Sequence, residues 1–328
     1  VDTAWSLSCL LDKEFCLDRV VIDSVDVQTF ASDTPPQQST GPVELPEITL
    51  PIGAKISEVL INRVSIQLPG DAPPHVVQDI QLSAEAHNNV VDNSTLSARY
   101  DTYTASVSGN IELTGDYPLD LDIALTAEDI LPNELPEGDG DQSANVAIAL
   151  NQSLKNLAVG VEAQGSVSAT LTGSVKPLDP KIPVNLQLSS PSLGWPLLSQ
   201  SIVSASNTAL TIDGSLDDYN ITLLTRVQGE QIPLTTLQLS AIANTERASL
   251  PAVSIDTLDG SALGNANVSW SDGVSWDTNW TIEDINPEVY RPDLKGMLDG
   301  KIQASGSVVD GNWSLDLPKA AIDGQLQG

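Results

Sequence analysis

The sequence is poor in cations. Its 328 residues contain 14 Lys and Arg against 44 Asp and Glu, which gives a formal net charge of -30 at pH 7. A phosphate backbone would repel so acidic a chain, and this excludes nucleic acids as partners. Aromatic residues make up only 4% of the chain, so its 41% of hydrophobic residues are mostly aliphatic. That content is typical of a folded protein and not of a disordered one.

Long apolar runs are also lacking. The longest uninterrupted run, residues 146–150, is far shorter than the roughly 20 residues of a membrane-spanning helix. The sequence starts at Val1 without an initiator Met or a signal peptide, and its last residues alternate like a strand. We therefore interpret it as a piece of a longer protein, whose anchor or export signal would lie outside this sequence.

Cysteine is almost absent, and its two residues, Cys9 and Cys16, lie close together. This spacing fits a disulfide across a short loop, which would imply an oxidising compartment. Two buried free thiols are the alternative. Because the two residues are near in the chain and no other metal ligand is close, we expect the disulfide.

Residues with catalytic chemistry are scarce. His75 and His87 are the only histidines, and no Gly-x-Ser-x-Gly elbow accompanies them, so a Ser-His-Asp triad is not expected. Phosphate-binding and dinucleotide-binding glycine loops are missing. Residues 138–141 resemble part of a calcium loop but lack its bidentate Glu. The sequence predicts no enzyme, no metal and no cofactor.

Apolar and polar residues alternate from one end of the chain to the other, which is typical of strands with one buried side. Residues 274–282 illustrate the pattern, because Val274, Trp276 and Trp280 alternate with Asp277 and Asn279. Helical periodicity is nearly absent. The alternation predicts that one side of the strands carries these residues: Leu119, Leu121, Ile123, Leu125, Val167, Leu171, Val184, Leu186, Leu188, Leu210, Ile212, Leu237, Leu239, Val268, Trp270, Val274, Trp276, Trp280, Ile282, Trp313, Leu315 and Leu317.

The chain contains internal repeats. Residues 17–28 align without gaps with residues 56–67 and match at every apolar position. Self-similarity of this kind favours an elongated stack of like units over a closed globule. About 18 to 22 strands spaced by about 4.8 Å would make a stack roughly 90 to 105 Å long. The sequence therefore predicts an all-β fold, an elongated curled sheet forming one repeat region over residues 1–328.

Two segments interrupt the strand pattern. Residues 33–51 are rich in proline, and residues 128–143 contain an acidic run. The same pattern resumes on both sides of each, so we expect exposed loops within one region. Residues 199–207 fit either a short helix or a covering loop.

A sheet with one apolar side must bury that side against a second sheet, against itself or against a ligand. If a single sheet curls lengthwise, its concave face forms an apolar groove, which a monomer rarely leaves empty. Acyl chains suit such a groove, since about 16 carbons cost roughly 12 kcal/mol to carry through water at about 0.8 kcal/mol per methylene. The alternative is a sandwich or solenoid with a closed core, a structural or adhesive domain that binds proteins or glycans by its loops.

Tryptophans on one strand face have three possible roles: stacking on sugars, anchoring at a membrane surface, or lining a core or groove. Trp270, Trp276 and Trp280 share their face with aliphatic residues such as Val268 and Ile282. Groups that would bind sugar hydroxyls are not on that face. We therefore favour the core or groove.

Two stretches resemble a known family. In the first, the turn Asn286-Pro287 precedes a strand with the phrase Pro-x-Leu-x-Gly-x-Leu-x-Gly, at residues 292–300. In the second, residues 5–16 with the two cysteines precede the strand Val-Ile-Asp-Ser-Val-Asp-Val. Both are similar to the periplasmic part of the TamB family, within the AsmA-like group of bacterial envelope proteins.

The resemblance implies a periplasmic protein anchored to the inner membrane by an N-terminal helix. It implies a long curled sheet with an apolar groove, a partner in the outer-membrane barrel protein TamA, and a role in phospholipid transport and outer-membrane protein assembly. The small number of cations leaves little to hold phosphate head groups. We therefore expect the protein to hold acyl chains and to leave the head groups in solvent.

Overall fold

The structure is a computed structural model. It describes residues 1–28, 45–68, 73–127, 143–165, 167–195, 201–271, 273–309 and 311–327. The chain divides into two compact units. Unit 1 consists of Val1–Ser166 and Ser174–Pro180, and unit 2 of Val167–Gly173 and Lys181–Gly328. No helix within the described ranges has the length and apolar character needed to cross a membrane.

Unit 1 is built from antiparallel hairpins that follow one another in chain order. From β4 to β10, each strand pairs with the strand that comes next in the sequence. The strands are β1 (Asp2–Ser6), β2 (Glu14–Ile22), β3 (Val25–Gln28), β4 (Gly53–Gln67), β5 (His75–His87), β6 (Val90–Tyr100), β7 (Tyr103–Glu112), β8 (Pro118–Ala127), β9 (Ala144–Ser153) and β10 (Asn156–Gly165).

The two copies of the internal repeat lie side by side. Strands β2 and β3 both pair with β4 in parallel, with Leu17 opposite Ile56 and Val25 opposite Val64. This register is the same, residue by residue, as the gap-free alignment of the two segments. Because matching residues share a side, the apolar positions of both copies face the same way.

Unit 2 repeats the hairpin arrangement. Strands β12 to β20 form one antiparallel series in chain order. The strands are β11 (Ser168–Val175), β12 (Val184–Trp195), β13 (Val203–Ser215), β14 (Asp218–Gly229), β15 (Ile232–Ala243), β16 (Arg247–Thr257), β17 (Gly260–Ser269), β18 (Val274–Ile285), β19 (Lys295–Val309) and β20 (Asn312–Gln327).

Tight turns join the strands. Leu258 and Asp259, between β16 and β17, have φ angles of 52° and 60°, as a two-residue turn matched to the twist of the strands requires. Two 3-10 helices, Leu7–Asp12 and Pro287–Val289, are the helical segments of the described ranges. Asn286 caps the second, since its side chain accepts a hydrogen bond from the Glu288 amide.

The predicted all-β class is confirmed, and the twenty strands of the described ranges fall within the predicted range. Residues 45–50 form no strand, as expected for the proline-rich loop, whose residues 33–44 lie outside the described ranges. Most of the acidic loop, residues 128–142, also lies outside them. The open question at residues 199–207 is resolved in part, because β13 begins at Val203. The single repeat region over residues 1–328 stays a prediction.

Candidate functional site

The aliphatic side of unit 1 is formed by residues that lie opposite one another on neighbouring strands. Ile123 of β8 lies between Val107 of β7 and Ile148 of β9, and Leu121 lies opposite Leu150. Paired residues in antiparallel strands point to the same side of the sheet, so these residues form rows across the strands. Four of the sequence-predicted residues share this side: Leu119, Leu121, Ile123 and Leu125.

Unit 2 contains a longer row. One apolar residue from each strand from β12 to β20 lies opposite the next, without interruption by a polar side chain. At about 4.8 Å between strands, the row is about 38 Å long. Its members are Leu188, Leu210, Leu223, Leu239, Val253, Gly264, Trp280, Ile302 and Ala320.

The register also places other sequence-predicted residues on this aliphatic side of unit 2. They are Val184, Leu186, Ile212, Leu237, Val268, Val274, Trp276, Ile282, Trp313 and Leu315.

Three predicted residues lie in less regular positions, and a fourth lies within a strand. Trp270 is in the turn after β17, where its indole Nε1 donates to the Thr245 carbonyl at 2.7 Å. Leu317 lies in a bulge of β20. Val167 precedes β11 and Leu171 lies within it.

The opposite side of unit 2 is polar. Ser249 on β16 donates from Oγ to Oδ1 of Asn267 on β17 at 2.9 Å. Asn267 donates in turn from Nδ2 to Oδ2 of Asp277 on β18 at 2.8 Å. These hydrogen bonds run across the strands, so this side is satisfied by its own polar groups. From β16 to β18, this side of unit 2 therefore carries polar side chains that bond to one another.

The aliphatic sides are only partly buried. Among the described residues the largest side chain with less than 2% exposure is that of Ser190. On the aliphatic side of unit 1, Leu119 is 8% exposed but Leu125 is 39% exposed. A closed sandwich core would hide many large aliphatic side chains completely. The burial of the described residues therefore does not support the closed-core alternative.

Two tryptophans lie against glycines of neighbouring strands. A Cβ atom added at Gly306 would come within 2.2 Å of Cζ2 of Trp276, and one added at Gly264 within 2.5 Å of Cε3 of Trp280. Each indole therefore covers the glycine opposite it and occupies the space of the missing side chain. Alternation alone does not reveal these pairs, because they depend on the cross-strand register.

A segment without regular structure crosses the ends of the hairpins in unit 1. We call residues 45–52 the strap. The amide of Ile48 donates to the Leu113 carbonyl at 3.0 Å, and the hydroxyl of Tyr117 donates to the Pro46 carbonyl. Tyr117 is only 7% exposed. The strap is thus hydrogen-bonded to the β7–β8 turn, although it is not a strand of the sheet.

Two exposed ion pairs lie outside the aliphatic rows. Arg291 and Asp293, in the turn before β19, pair at 3.1 Å between Nε and Oδ1. The hydrogen bond from Arg291 lowers the pKa of the Asp293 carboxyl below its usual value. In unit 1, Lys55 pairs with Glu85 at 2.6 Å between Nζ and Oε1, and the hydrogen bond to Glu85 raises the pKa of Lys55. These pairs are exposed and belong to the polar surface.

Both histidines lie beside other polar side chains. Nδ1 of His75 lies 2.8 Å from the Tyr100 hydroxyl, and Nδ1 of His87 lies 3.5 Å from Oε1 of Glu14. Within the described ranges, no group of three or more His, Cys, Asp and Glu side chains is arranged to hold a metal ion. A hollow of about 620 Å³ beside Arg247 is lined by polar residues such as Ser249 and Asp277 and also by Val268 and Trp276, so it does not belong to one side alone.

These features define a class of protein: a repetitive, largely antiparallel β protein with rows of aliphatic residues across its strands. The model of the TamB N-terminal domain matches residues 39–328, and the chain belongs to this family. A relative is the translocation and assembly module subunit TamB of Haemophilus influenzae, which is 26% identical over 291 residues. The match covers 85% of this chain and 22% of the relative, so the chain spans about a fifth of its length. No solved structure matches the chain.

Proposed function

We propose that the chain is a segment of a lipid conduit that carries phospholipid acyl chains along its aliphatic sides. The observation that carries this proposal is the uninterrupted row in unit 2, from Leu188 on β12 to Ala320 on β20. Its length of about 38 Å is more than twice the depth of one leaflet's hydrocarbon, which is about half of a 30 Å bilayer core. An acyl chain on the row would find apolar contacts along its full length.

Partial burial supports the same function. Leu239, in the middle of the row, is half-buried, and the opposite residue Val253 is 7% exposed. A half-buried side chain such as Leu239 keeps part of its apolar surface for a ligand, whereas Val253 is already buried. Each methylene that leaves water for such a surface gains about 0.8 kcal/mol. A continuous row lets a chain slide from strand to strand without returning to water.

The small number of cations indicates that the lipid head groups stay in solvent. The row contains no charged residue, and the chain has only 14 cations among 58 charged side chains counted as Lys, Arg, Asp and Glu. Phosphate recognition depends on clustered Arg or Lys donors. The protein therefore holds hydrocarbon and not phosphate.

Family membership supports a location and a partner for the chain. The relative's name describes a translocation and assembly module subunit. We place the chain in the periplasm as part of a longer protein, which an N-terminal helix anchors to the inner membrane. Its partner is an outer-membrane TamA-like barrel protein, and its role supports outer-membrane biogenesis and protein assembly. Its proposed role is transport and not catalysis.

A charge placed on the row tests the proposal. Leu239 lies between Leu223 and Val253, so an Asp there exposes a charge to any passing acyl chain. Ser240, its neighbour on the polar side, provides a matched control. We expect Leu239→Asp to stop phospholipid transport in cells that lack redundant transporters, whereas Ser240→Asp leaves transport unchanged.

Folding must be measured alongside transport. If the aliphatic side is open, an Asp at position 239 can reach solvent and does not prevent folding. The Leu239→Asp protein should therefore reach normal levels in cells and show a cooperative unfolding transition. Normal lipid transport by a folded Leu239→Asp protein would contradict the proposal. Complete unfolding of this variant would instead indicate a closed core, because an unpaired buried charge costs several kcal/mol.

A further inference from the structure

The N-terminal hairpin of unit 1 exposes a cluster of large apolar side chains. We call residues 5–15 the tip. Leu11 is 89% exposed, Leu10 53%, Trp5 59% and Phe15 41%. Leu10 and Leu11 lie on the 3-10 helix that joins β1 to β2, and Trp5 and Phe15 lie at the strand ends beside it. Each of these side chains leaves about two-fifths or more of its surface exposed.

The tip is held in shape by bonds that do not involve those apolar side chains. A disulfide joins Cys9 to Cys16, with 6.0 Å between their Cα atoms. The Lys13 amide closes the helix by donating to the carbonyls of Cys9 and Leu10. The Lys13 carbonyl accepts from the Gly53 amide at 3.0 Å, which joins the tip to β4. The exposed leucines therefore stand on a fixed turn.

The exposed area is too small for a stable protein interface. The four side chains together expose on the order of 500 Å², since a large aromatic side chain offers about 150 to 250 Å². A specific protein interface buries about 800 Å² on each partner. A second copy of the chain, or another protein, would need contacts well beyond the tip.

A bilayer surface fits the same features. Trp and Phe rings favour the boundary between head groups and acyl chains, and leucines favour the hydrocarbon below. Backbone groups that enter this region must already be hydrogen-bonded, because each unsatisfied group is costly there. The amide of Lys13 and its carbonyl meet this requirement. Its ammonium can extend back to the head groups.

We propose that the tip inserts into the interface of a lipid bilayer through Leu10 and Leu11, flanked by Trp5 and Phe15. The lipids have zwitterionic head groups, because Asp2 and Glu14 accompany Lys13 near the tip and the whole chain carries a net charge of -30. Anionic vesicles would repel such a protein. The proposal concerns attachment to a membrane and is independent of acyl chains on the aliphatic sides.

Vesicle flotation tests the proposal with the chain as it is. The probe is vesicles of phosphatidylcholine and phosphatidylethanolamine. We expect the parent chain to float with them, and the variant Leu10→Asp/Leu11→Asp to bind about tenfold more weakly. Leu263→Asp is the matched control, since Leu263 is 52% exposed on the polar side of unit 2. It should bind within about twofold of the parent.

A second variant reports the depth of insertion. Leu11→Trp adds one indole at the most exposed position of the tip, where it cannot disturb the fold. Brominated acyl chains should quench the emission that this indole adds. Failure of the parent chain to float, equal losses in Leu263→Asp, or no quenching of the added indole would overturn the proposal. Dimers that Leu11→Asp abolishes would assign the tip to a second copy of the chain and also overturn it.

Discussion

Replacing Gly306 by Ala tests whether Trp276 lies flat on the aliphatic side of unit 2. An added Cβ would lie 2.2 Å from Cζ2 of the indole and 2.7 Å from the Ser314 carbonyl oxygen. Ordinary carbon contacts begin near 3.4 Å, so the indole must move by about 1.2 Å or more. The carbonyl belongs to the β19–β20 ladder, and its position limits movement of the Cβ itself. We therefore expect the ring to swing off the sheet.

The destabilisation can be calculated from the contact area that the indole loses. If about a third of a roughly 200 Å² contact is lost, the loss is about 1.7 kcal/mol at 25 cal/mol/Å². Ala regains roughly 0.4 to 1 kcal/mol, because it restricts the unfolded chain more than Gly does. The net destabilisation is therefore about 1 kcal/mol, which shifts the melting temperature of a unit of this size by roughly 2 to 4 °C.

Thermal unfolding and tryptophan emission measure this effect. Gly160→Ala is the control, because an added Cβ there meets only Ala149, with the Cβ at 3.9 Å and the carbonyl oxygen at 4.0 Å. It should be neutral or stabilising by about 0.5 kcal/mol. Gly306→Ala should lower the melting temperature and shift the emission that Trp276 contributes, identified by comparison with Trp276→Phe. A Gly306→Ala protein as stable as the parent, with unchanged Trp276 emission, would refute the packing described for this pair.

Three further predictions concern unit 1 and the turn before β19. Replacing Cys9 and Cys16 by Ser opens a short loop and should destabilise unit 1 by about 2.5 kcal/mol, measured by denaturant unfolding against the oxidised parent; no change would show that the tip forms without its disulfide. Tyr117→Phe removes the hydrogen bond to the strap, so it should cost about 1 kcal/mol and speed hydrogen exchange of the strap amides; unchanged exchange would contradict that contact. The lowered pKa of Asp293 means that its pairing with Arg291 persists above the usual carboxyl pKa and is lost as the pH falls through the folded value; an NMR titration midpoint at or above about 3.9 would contradict it.

Alternation with period two fixes the side of each residue once a strand forms, so the sequence can predict which residues share a side. Leu210 and Leu239, for example, were placed by alternation alone and occupy one row in the structure. Alternation does not determine which strands pair. The parallel pairing of β2 with β4 was missed for this reason, although the alignment already contained its register.

Features that depend on contact between strands were also missed. The pairs Trp276–Gly306 and Trp280–Gly264 come from residues 30 and 16 positions apart in the numbering, and no local pattern connects them. The tip was missed for a different reason. Leu10 and Leu11 are adjacent, so they do not follow the alternation of a strand. Only their exposure in the folded structure distinguishes them from core residues.

We propose that acyl chains occupy the aliphatic side of the strands. Photo-crosslinking in cells tests this occupancy most directly. A photoreactive amino acid at Trp276 would face that side, and one at the next residue, Asp277, would face the polar side. Mass spectrometry of the captured adducts then identifies the ligand. We expect phospholipid adducts at Trp276 and none at Asp277. Folded proteins that capture no lipid at Trp276, or equal amounts at both positions, would contradict it.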